Sequence, residues 1–286
     1  MRYVYYFLKD NQNKIYKLQK GIAQPHVYPK DLMALKIPLP PLSTQKRIVS
    51  ILEKAEKLKQ NREHADKLTK EYLQSVFYEM FGDPLKNENG WAKYSLGEIC
   101  ESFQNGIGKN IEYYGKGHKV ANIGDLYDWH KFSPIKYSLL EVTDKEIDLY
   151  KLERGDILFV RSSLKPEGVA YCSMYDSNEL CLFSSFMIRI KPIKNKISSE
   201  FLAFLLRTPY MRKELIKASN TVTITNISQP NLKKVEVICP PLPLQQKFAS
   251  IVEHVEKLKE KQKQSKEEID NLFSSLMSKS FKGGLI

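Results

Sequence analysis

The chain has 286 residues, 42% hydrophobic and 27% charged, the composition of a protein with a packed core that forms one large domain or two smaller ones. No stretch is apolar over roughly 18 residues, which argues against a membrane-spanning helix, and the N-terminal sequence lacks the pattern of a secretory signal. The net charge of +12 is compatible with binding to nucleic acid and equally with a merely basic surface.

The four cysteines are scattered without the CxxC spacing of a zinc or redox site. We therefore expect buried free thiols in a reducing compartment, with no disulfide and no metal, and a cytoplasmic location. They are Cys100, Cys172, Cys181 and Cys239.

The first 36 residues are similar to the stretch that ends at residue 236. At an offset of 200, Asp31-Leu32 aligns with Asn231-Leu232, and Leu35 aligns with Val235. We interpret residues 1–36 as the C-terminal remnant of a domain like the one at 85–236, whose earlier part is absent.

Residues 37–84 and 237–286 carry a duplication. IPLPPLSTQKRIVSIL at 37–52 returns as VICPPLPLQQKFASIV at 237–252, and positions 40–59 match 240–259 at 11 of 20 places. The period is too long for a solenoid of roughly 20–50 residues per repeat, so each copy is expected to accompany a larger unit.

Each copy predicts one long helix. After the proline pairs, proline and glycine are absent from 42–81 and from 244–282. A helix of about 39 residues is roughly 58 Å long and needs a partner of similar length, which the other copy supplies. Gly82 and Pro84 predict the end of the first helix, and the second is expected to end near Phe281.

Apolar residues recur in both helices at heptad spacing, with polar residues in the middle that could set the register. We predict that the two helices pair along this seam; the alternative is two amphipathic helices, each lying on a globular core. The predicted seam residues are Ile48, Ile51, Ala55, Leu58, Tyr72 and Val76 in the first helix, and Phe248, Ile251, Val255, Leu258, Ile269, Leu272 and Leu276 in the second.

Residues 85–236 predict a mixed α/β domain rich in short strands. Asp156–Val160 and Phe186–Ile190 are typical of strands, and 199–217 of helix with a break near Thr208-Pro209. The domain holds much of the excess positive charge, because 189–217 carries eight basic residues whereas the helical segments are nearly neutral.

Three loops in this domain combine amide, hydroxyl and basic side chains, the groups that contact bases and phosphates. For any one of these residues, a solvated loop position is an equally good interpretation; Arg161 and Lys109 are the strongest candidates. The candidate DNA-binding residues are Gln104, Asn105, Lys109, Asn110, Arg161, Ser162, Ser163, Lys165, Thr221, Thr223, Thr225 and Asn226.

Motifs for catalysis are absent from the sequence. It has no GxxxxGK[ST] phosphate loop and no Asn-Pro-Pro-aromatic motif for adenine methylation, and its five histidines are not spaced as metal ligands. We expect no catalytic residue and no cofactor.

The arrangement of these motifs resembles the specificity subunit of type I restriction–modification systems. The resemblance rests on Pro40-Pro41-Leu42 with Gln45, Pro240-Pro241-Leu242 with Gln245, Leu152–Val160 and Thr225–Ser228. It implies a β-rich α/β target-recognition domain, and two long helices forming an antiparallel coiled coil that sets the distance between the halves of a bipartite site. It also implies double-stranded DNA, modification subunits and restriction subunits as partners, with no catalysis by this subunit.

The chain departs from that family pattern because it has one complete recognition domain where a full member has two. We therefore expect a half-type or truncated subunit that forms a homodimer or pairs with another specificity chain. A coiled-coil scaffold whose mixed domain binds protein is the alternative.

Overall fold

The computed structural model describes residues 1–21, 24–134, 137–221, 225–282 and 284. The chain forms two compact units, one of Met1–Tyr72 with His254–Ile286 and one of Leu73–Glu253. The divisions fall inside the two long helices, whereas the sequence-based boundaries were placed at 84/85 and 236/237. The reason is local packing, since Phe77 and Phe81 share an aromatic cluster with Phe248.

Both long helices predicted from the sequence are present, and the first ends at Gly82, whose φ of 73° is the left-handed conformation that glycine favours. Within the described ranges, no helix is long and apolar enough to cross a membrane. The helices are α1 (Arg2–Asp10), α2 (Gln12–Tyr16), α3 (Pro29–Met33), α4 (Leu42–Phe81), α5 (Leu96–Ile99), α6 (Asp144–Tyr150), α7 (Ser199–Arg207), α8 (Pro209–Lys217), α9 (Gln229–Lys233) and α10 (Leu242–Lys282).

All described strands lie in the unit Leu73–Glu253. They are β1 (Lys93–Ser95), β2 (Cys100–Asn105), β3 (Tyr114–Ala121), β4 (Lys131–Phe132), β5 (Ser138–Leu140), β6 (Ile157–Val160), β7 (Ser162–Ser163), β8 (Cys172–Tyr175), β9 (Leu182–Phe183), β10 (Met187–Pro192), β11 (Asn220–Thr221), β12 (Thr225–Asn226) and β13 (Glu236–Ile238).

A five-stranded sheet in the order β2-β10-β6-β8-β4 forms the centre of this unit. Its middle strand β6 is buried at every position, which explains the continuous apolar run that predicted it. Three-stranded sheets β5-β3-β9 and β11-β12-β7 and the pair β1-β13 complete the unit. The predicted β-rich mixed fold is therefore confirmed.

In the other unit, α4 and α10 pair antiparallel. Lys59 contacts Asp270 at 2.6 Å, and Thr69 contacts Gln262 at 2.9 Å, so positions later in α4 meet positions earlier in α10. Ile48, Leu52 and Ala55 form a buried cluster with Phe273 and Met277. The coiled-coil interpretation agrees with this geometry.

The buried seam differs in part from the predicted one. At about every second seam position, the buried residue is the one that follows the predicted residue in the sequence. The buried members of the seam include Leu52 and Phe273, which share one cluster, and Phe77, which packs against Phe248; Leu52, Phe273 and Phe77 were not in the predicted set. Of the predicted residues, Leu58, Tyr72, Leu258 and Leu272 are about half exposed, so their assignment to the seam is corrected. Ile48, Ala55, Phe248 and Val255 are buried, and Ile51, Val76, Ile251, Ile269 and Leu276 are partly buried.

Lys59 explains physically why the seam departs from the predicted positions. Its ammonium pairs with Asp270 at 2.6 Å, and its side chain is only 34% exposed, so a lysine occupies the seam position beside the exposed Leu58. A long cationic side chain can pack its methylene groups along a seam while its charge remains paired. The prediction counted only apolar residues, and it therefore chose Leu58 where the structure has Lys59 in the seam.

The duplication extends from the helices into the segments before them. Lys20 and His26 form an antiparallel bridge, as do Asn220 and Asn226, and α3 and α9 lie 200 positions apart. Each of these short helices is followed by a proline pair and then a long helix. Among the described residues, the bridge, the short helix and the proline pair of residues 20–42 are thus repeated in residues 220–242.

Candidate nucleic-acid interface

The small sheet β11-β12-β7 brings together two of the three predicted loops. Ser162 pairs with Asn226, and Ser163 pairs with Thr225. The backbone N–H of Ile227 donates to the Arg161 carbonyl at 3.0 Å. Residues separated by more than 60 positions in the sequence therefore form one surface in the unit Leu73–Glu253.

Arg161 is the residue on this surface that is best suited to bind an external acceptor. Its backbone N–H donates to the Phe186 carbonyl at 2.8 Å, which fixes the start of the side chain. Within the described ranges its guanidinium has no hydrogen-bond or ion-pair partner, although the residue is half-buried. A guanidinium in that state presents its donor groups to an incoming acceptor such as a guanine edge or a phosphate.

Ser162, Ser163 and Lys165 form a tight turn beside Arg161. The Ser162 hydroxyl donates to the side-chain oxygen of Asn226, and the Lys165 N–H donates to the Ser163 hydroxyl at 3.2 Å. Lys165 itself is exposed. The turn therefore combines a fixed backbone with an exposed ammonium, the arrangement of a phosphate contact.

Gln229 joins the first predicted loop to this surface, and the sequence did not single it out. Its side-chain amide donates to the side-chain oxygen of Asn105 at 3.0 Å. Gln229 follows Ser228, whose hydroxyl caps α9 by accepting from the Asn231 N–H at 3.3 Å. The cap motif was the signal available in the sequence, and it indicated a helix start without indicating this cross-loop contact.

Gln104 belongs to an internal network. Its amide donates to the Leu149 carbonyl at 3.1 Å, and its oxygen accepts from Arg189. Arg189 also donates to the Lys151 carbonyl at 2.6 Å and lies 3.7 Å from Asp156, whose pKa is raised by burial. Both polar ends of Gln104 are thus engaged, so its assignment as a base contact is corrected to a supporting role.

Lys109 is also bound within the protein. Its ammonium donates to the Glu146 carboxylate at 2.7 Å and to the Glu141 carbonyl at 3.1 Å, and its side chain is 17% exposed. The Lys109 hydrogen bond lowers the pKa of Glu146. The charge of Lys109 is therefore matched by a carboxylate, whereas the neighbouring candidate Asn110 is exposed.

The threonines of the last predicted loop fall into different classes. Thr225 is 1% exposed, so its side chain cannot reach a base in this conformation, and that assignment is corrected. Thr221 pairs with Thr225 through the backbone, while Thr223 lies outside the described residues. Asn226 is exposed and stays a candidate.

Two arginines of the basic stretch 189–217 stabilise the domain internally. Arg207 donates to the carbonyls of Leu126, Cys172 and Tyr127, and burial lowers its pKa. Arg212 donates to the Glu167 and Val169 carbonyls and lies over a tyrosine ring. The basic surface is consequently smaller than the count of basic residues indicates.

Metal or thiol chemistry finds no support among the residues that the structure describes. No group of three or more His, Cys, Asp or Glu residues there could hold a metal ion. The four cysteines are free, and burial raises the pKa of the Cys172 and Cys181 thiols to about 12. These thiols are packing residues and are protonated near neutral pH.

Sequence comparison relates most of the chain to one family. Residues 1–69 and 88–271 match the family model of the type I restriction modification DNA specificity domain. The chain is 25% identical over 308 aligned residues to the EcoKI specificity subunit of Escherichia coli K12 and 26% identical over 308 to the StySPI specificity subunit of Salmonella potsdam. It aligns over 99% of its own length but spans 65% of the length of each relative.

Solved structures show the same fold at low sequence identity. A chain from a study of the assembly and conformational transition of a type I R-M system matches with a TM-score of 0.64 and 22% identity, covering 99% of this chain and 71% of that one. The type I S subunit from M. genitalium matches with a TM-score of 0.61 and 17% identity, covering 98% and 72%. The HsdS subunit from Thermoanaerobacter tengcongensis matches with a TM-score of 0.52 and 22% identity, covering 99% and 70%.

Proposed function

The chain belongs to the type I restriction–modification DNA specificity family, and from this premise we propose that it recognises a DNA sequence for a type I modification and restriction complex. Methyl transfer, translocation and cleavage belong in this proposal to the modification and restriction subunits, so the chain carries no catalytic residue. The free cysteines are in keeping with a cytoplasmic site of action.

The observation that carries the proposal is the surface around Arg161. The Arg161 guanidinium, which has no partner among the residues that the structure describes, lies beside the turn that carries the exposed Lys165, and Asn226 pairs with that turn. Arginine can bond a guanine edge bidentately, and lysine neutralises phosphate without regard to sequence. The surface thus offers both the specific and the non-specific part of DNA binding.

We assign to the mixed domain the reading of one half of a bipartite target. The antiparallel helices α4 and α10 then serve as the spacer and as the docking site for modification subunits. Two helices that pack along a buried apolar seam form a rigid rod. Such a rod can hold a fixed distance, which a flexible linker cannot do.

Residues 1–36 fit the role of the closing segment of a second recognition domain. In the complete domain, the counterparts at the offset of 200 are covered: Leu232 is fully buried, and Val237 pairs with Tyr94 between β13 and β1. Leu32 is 38% exposed, and Ile37 is only partly buried. Leu32 and Ile37 thus have less cover than their counterparts Leu232 and Val237.

A second specificity polypeptide would supply that cover and the second reading unit, as a homodimer partner or as a different chain. Light scattering of the purified protein, alone and with its modification subunit, tests this part. We expect two specificity chains in one complex; a single chain under both conditions would contradict the pairing.

A map of adenine methylation in cells that carry the protein with its modification subunit tests the proposed function itself. We expect methylation at one defined motif, which disappears when the gene for this chain is deleted. Methylation without a defined motif, or an unchanged map after deletion, would contradict sequence recognition by this chain.

A further inference from the structure

Two large apolar side chains are exposed near Arg161, one in the turn that follows it and one in the segment to which its backbone is hydrogen-bonded. Leu164 is 83% exposed and follows the partly buried strand β7, and Phe186 is 57% exposed and comes after the buried strand β9. Phe186 provides the carbonyl that accepts from the Arg161 N–H at 2.8 Å. Both apolar residues therefore belong to the Arg161 surface.

The turn that carries Leu164 is held on both sides. Ser163 pairs with Thr225, the Lys165 N–H donates to the Ser163 hydroxyl at 3.2 Å, and the Gly168 N–H donates to the Lys165 carbonyl at 2.9 Å. A Cβ at Gly168 would lie 2.2 Å from the Ser163 hydroxyl oxygen, so a larger residue there would force the Ser163 side chain out of its hydrogen bond with Lys165. Because this backbone is already ordered, burying Leu164 on binding costs little further conformational entropy.

We propose that Leu164 is a wedge that inserts against a base step when DNA is bound, with Phe186 packing beside it. The proposal rests on the DNA-recognition function and deepens it, since it adds readout of DNA deformability to the contacts of Arg161. Several DNA-binding proteins insert apolar side chains between base steps and thereby unstack and bend the duplex.

The surroundings of Leu164 favour DNA over a protein partner. Arg161 and Lys165 have no described partner for their charges, and in 161–168 the one acidic residue is Glu167. Protein–DNA interfaces are polar and positively charged, whereas the core of a protein–protein interface is apolar and depleted of charge. Leu164 and Phe186 are apolar side chains surrounded by cationic and amide groups, which is the composition of a protein–DNA interface.

The wedge is tested on the complex with the modification subunit, using the duplex that the methylation map defines. 2-Aminopurine is placed at successive positions of that duplex to report unstacking. We expect Leu164→Ala to weaken binding about tenfold and to remove the fluorescence rise while leaving the salt dependence unchanged, because no ionic contact is lost. Phe186→Ala should weaken binding as well.

Leu180→Ala is the matched control, because Leu180 is 45% exposed in the same unit but lies in the segment before β9. If the wild-type complex binds its target and Leu164→Ala equals Leu180→Ala in affinity and fluorescence, the wedge is wrong. If Leu164→Ala instead weakens association with the modification subunit in the absence of DNA, Leu164 is a protein contact. Failure of the wild-type complex to prefer any sequence would overturn the proposed function together with the wedge.

Discussion

Arg161 and Lys109 have the same charge and lie in comparable loops, but the structure gives them different surroundings. The Arg161 guanidinium has no described partner, whereas the Lys109 ammonium is 2.7 Å from Glu146. The sequence places Glu146 37 residues away from Lys109, so no local pattern predicts their contact. Residue type therefore identified both candidates, and only the fold separates them.

Arg161→Ala is expected to reduce affinity for the target by roughly 1–3 kcal/mol and to relax the sequence preference, because a base-edge contact is lost. Lys165→Ala should weaken binding to all sequences alike and reduce the slope of log affinity against log salt by about 1. Binding isotherms for target and unrelated duplexes at several salt concentrations distinguish the two. Equal effects of Arg161→Ala and Lys165→Ala on all duplexes would show that Arg161 contacts phosphate.

Lys109→Met should change DNA affinity less than Lys165→Ala does, because the Lys109 charge is already matched by Glu146. Its effect should appear in stability, at about 1–3 kcal/mol, because a charge-assisted hydrogen bond of a largely covered ammonium is lost. Urea unfolding and binding to target duplex measure both. A loss of affinity as large as that of Lys165→Ala would return Lys109 to the DNA contacts.

At the scale of elements, the long helices were predictable because proline and glycine are absent from residues 42–81 and from residues 244–282. The strands β6 and β10 were predictable from their apolar runs, and the break between α7 and α8 from Thr208-Pro209. The seam phase was not, because Lys59 occupies a seam position that pairs with Asp270 on the other helix. The small sheet β11-β12-β7 was also not predictable, since strands of two residues carry no periodic signal.

Thr69 and Gln262 form a buried polar pair in the helix seam. Each is less than a tenth exposed, and the Gln262 amide donates to the Thr69 hydroxyl at 2.9 Å. We expect Thr69→Val or Gln262→Leu alone to destabilise the chain by about 1–3 kcal/mol, and the double substitution to recover most of that loss. A double-mutant cycle by urea unfolding measures the coupling, and additive losses would show that the pair does not act as a unit.

Leu232 and Leu32 occupy equivalent positions of the duplication with different burial. Leu232 is fully buried, so Leu232→Ala should cost about 2–5 kcal/mol of unfolding free energy. Leu32 is 38% exposed, so Leu32→Ala in the unpaired chain should cost about 1 kcal/mol or less. Chemical unfolding of both variants tests the contrast, and a cost at Leu32 equal to that at Leu232 would mean that Leu32 is already covered in solution.

At the scale of the whole molecule, the duplication indicated the architecture, because two like helices must be separated by one intervening unit. The offset of 200 residues equals one mixed domain with one long helix, and the structure repeats the bridge, the short helix and the proline pair at that spacing. The DNA sequence recognised cannot be derived in this way. Base readout depends on side-chain contacts with a bound duplex and on the deformation of that duplex.

The central claim is that the mixed domain between the two helices reads sequence. Its most direct test exchanges residues 85–236 for the corresponding domain of a relative, leaves both helices intact, and maps adenine methylation with the original modification subunit. The account predicts that methylation moves to a new motif in which one half of the target has changed, while the length of the spacer is kept. Methylation that stays at the original motif after the exchange would contradict the account.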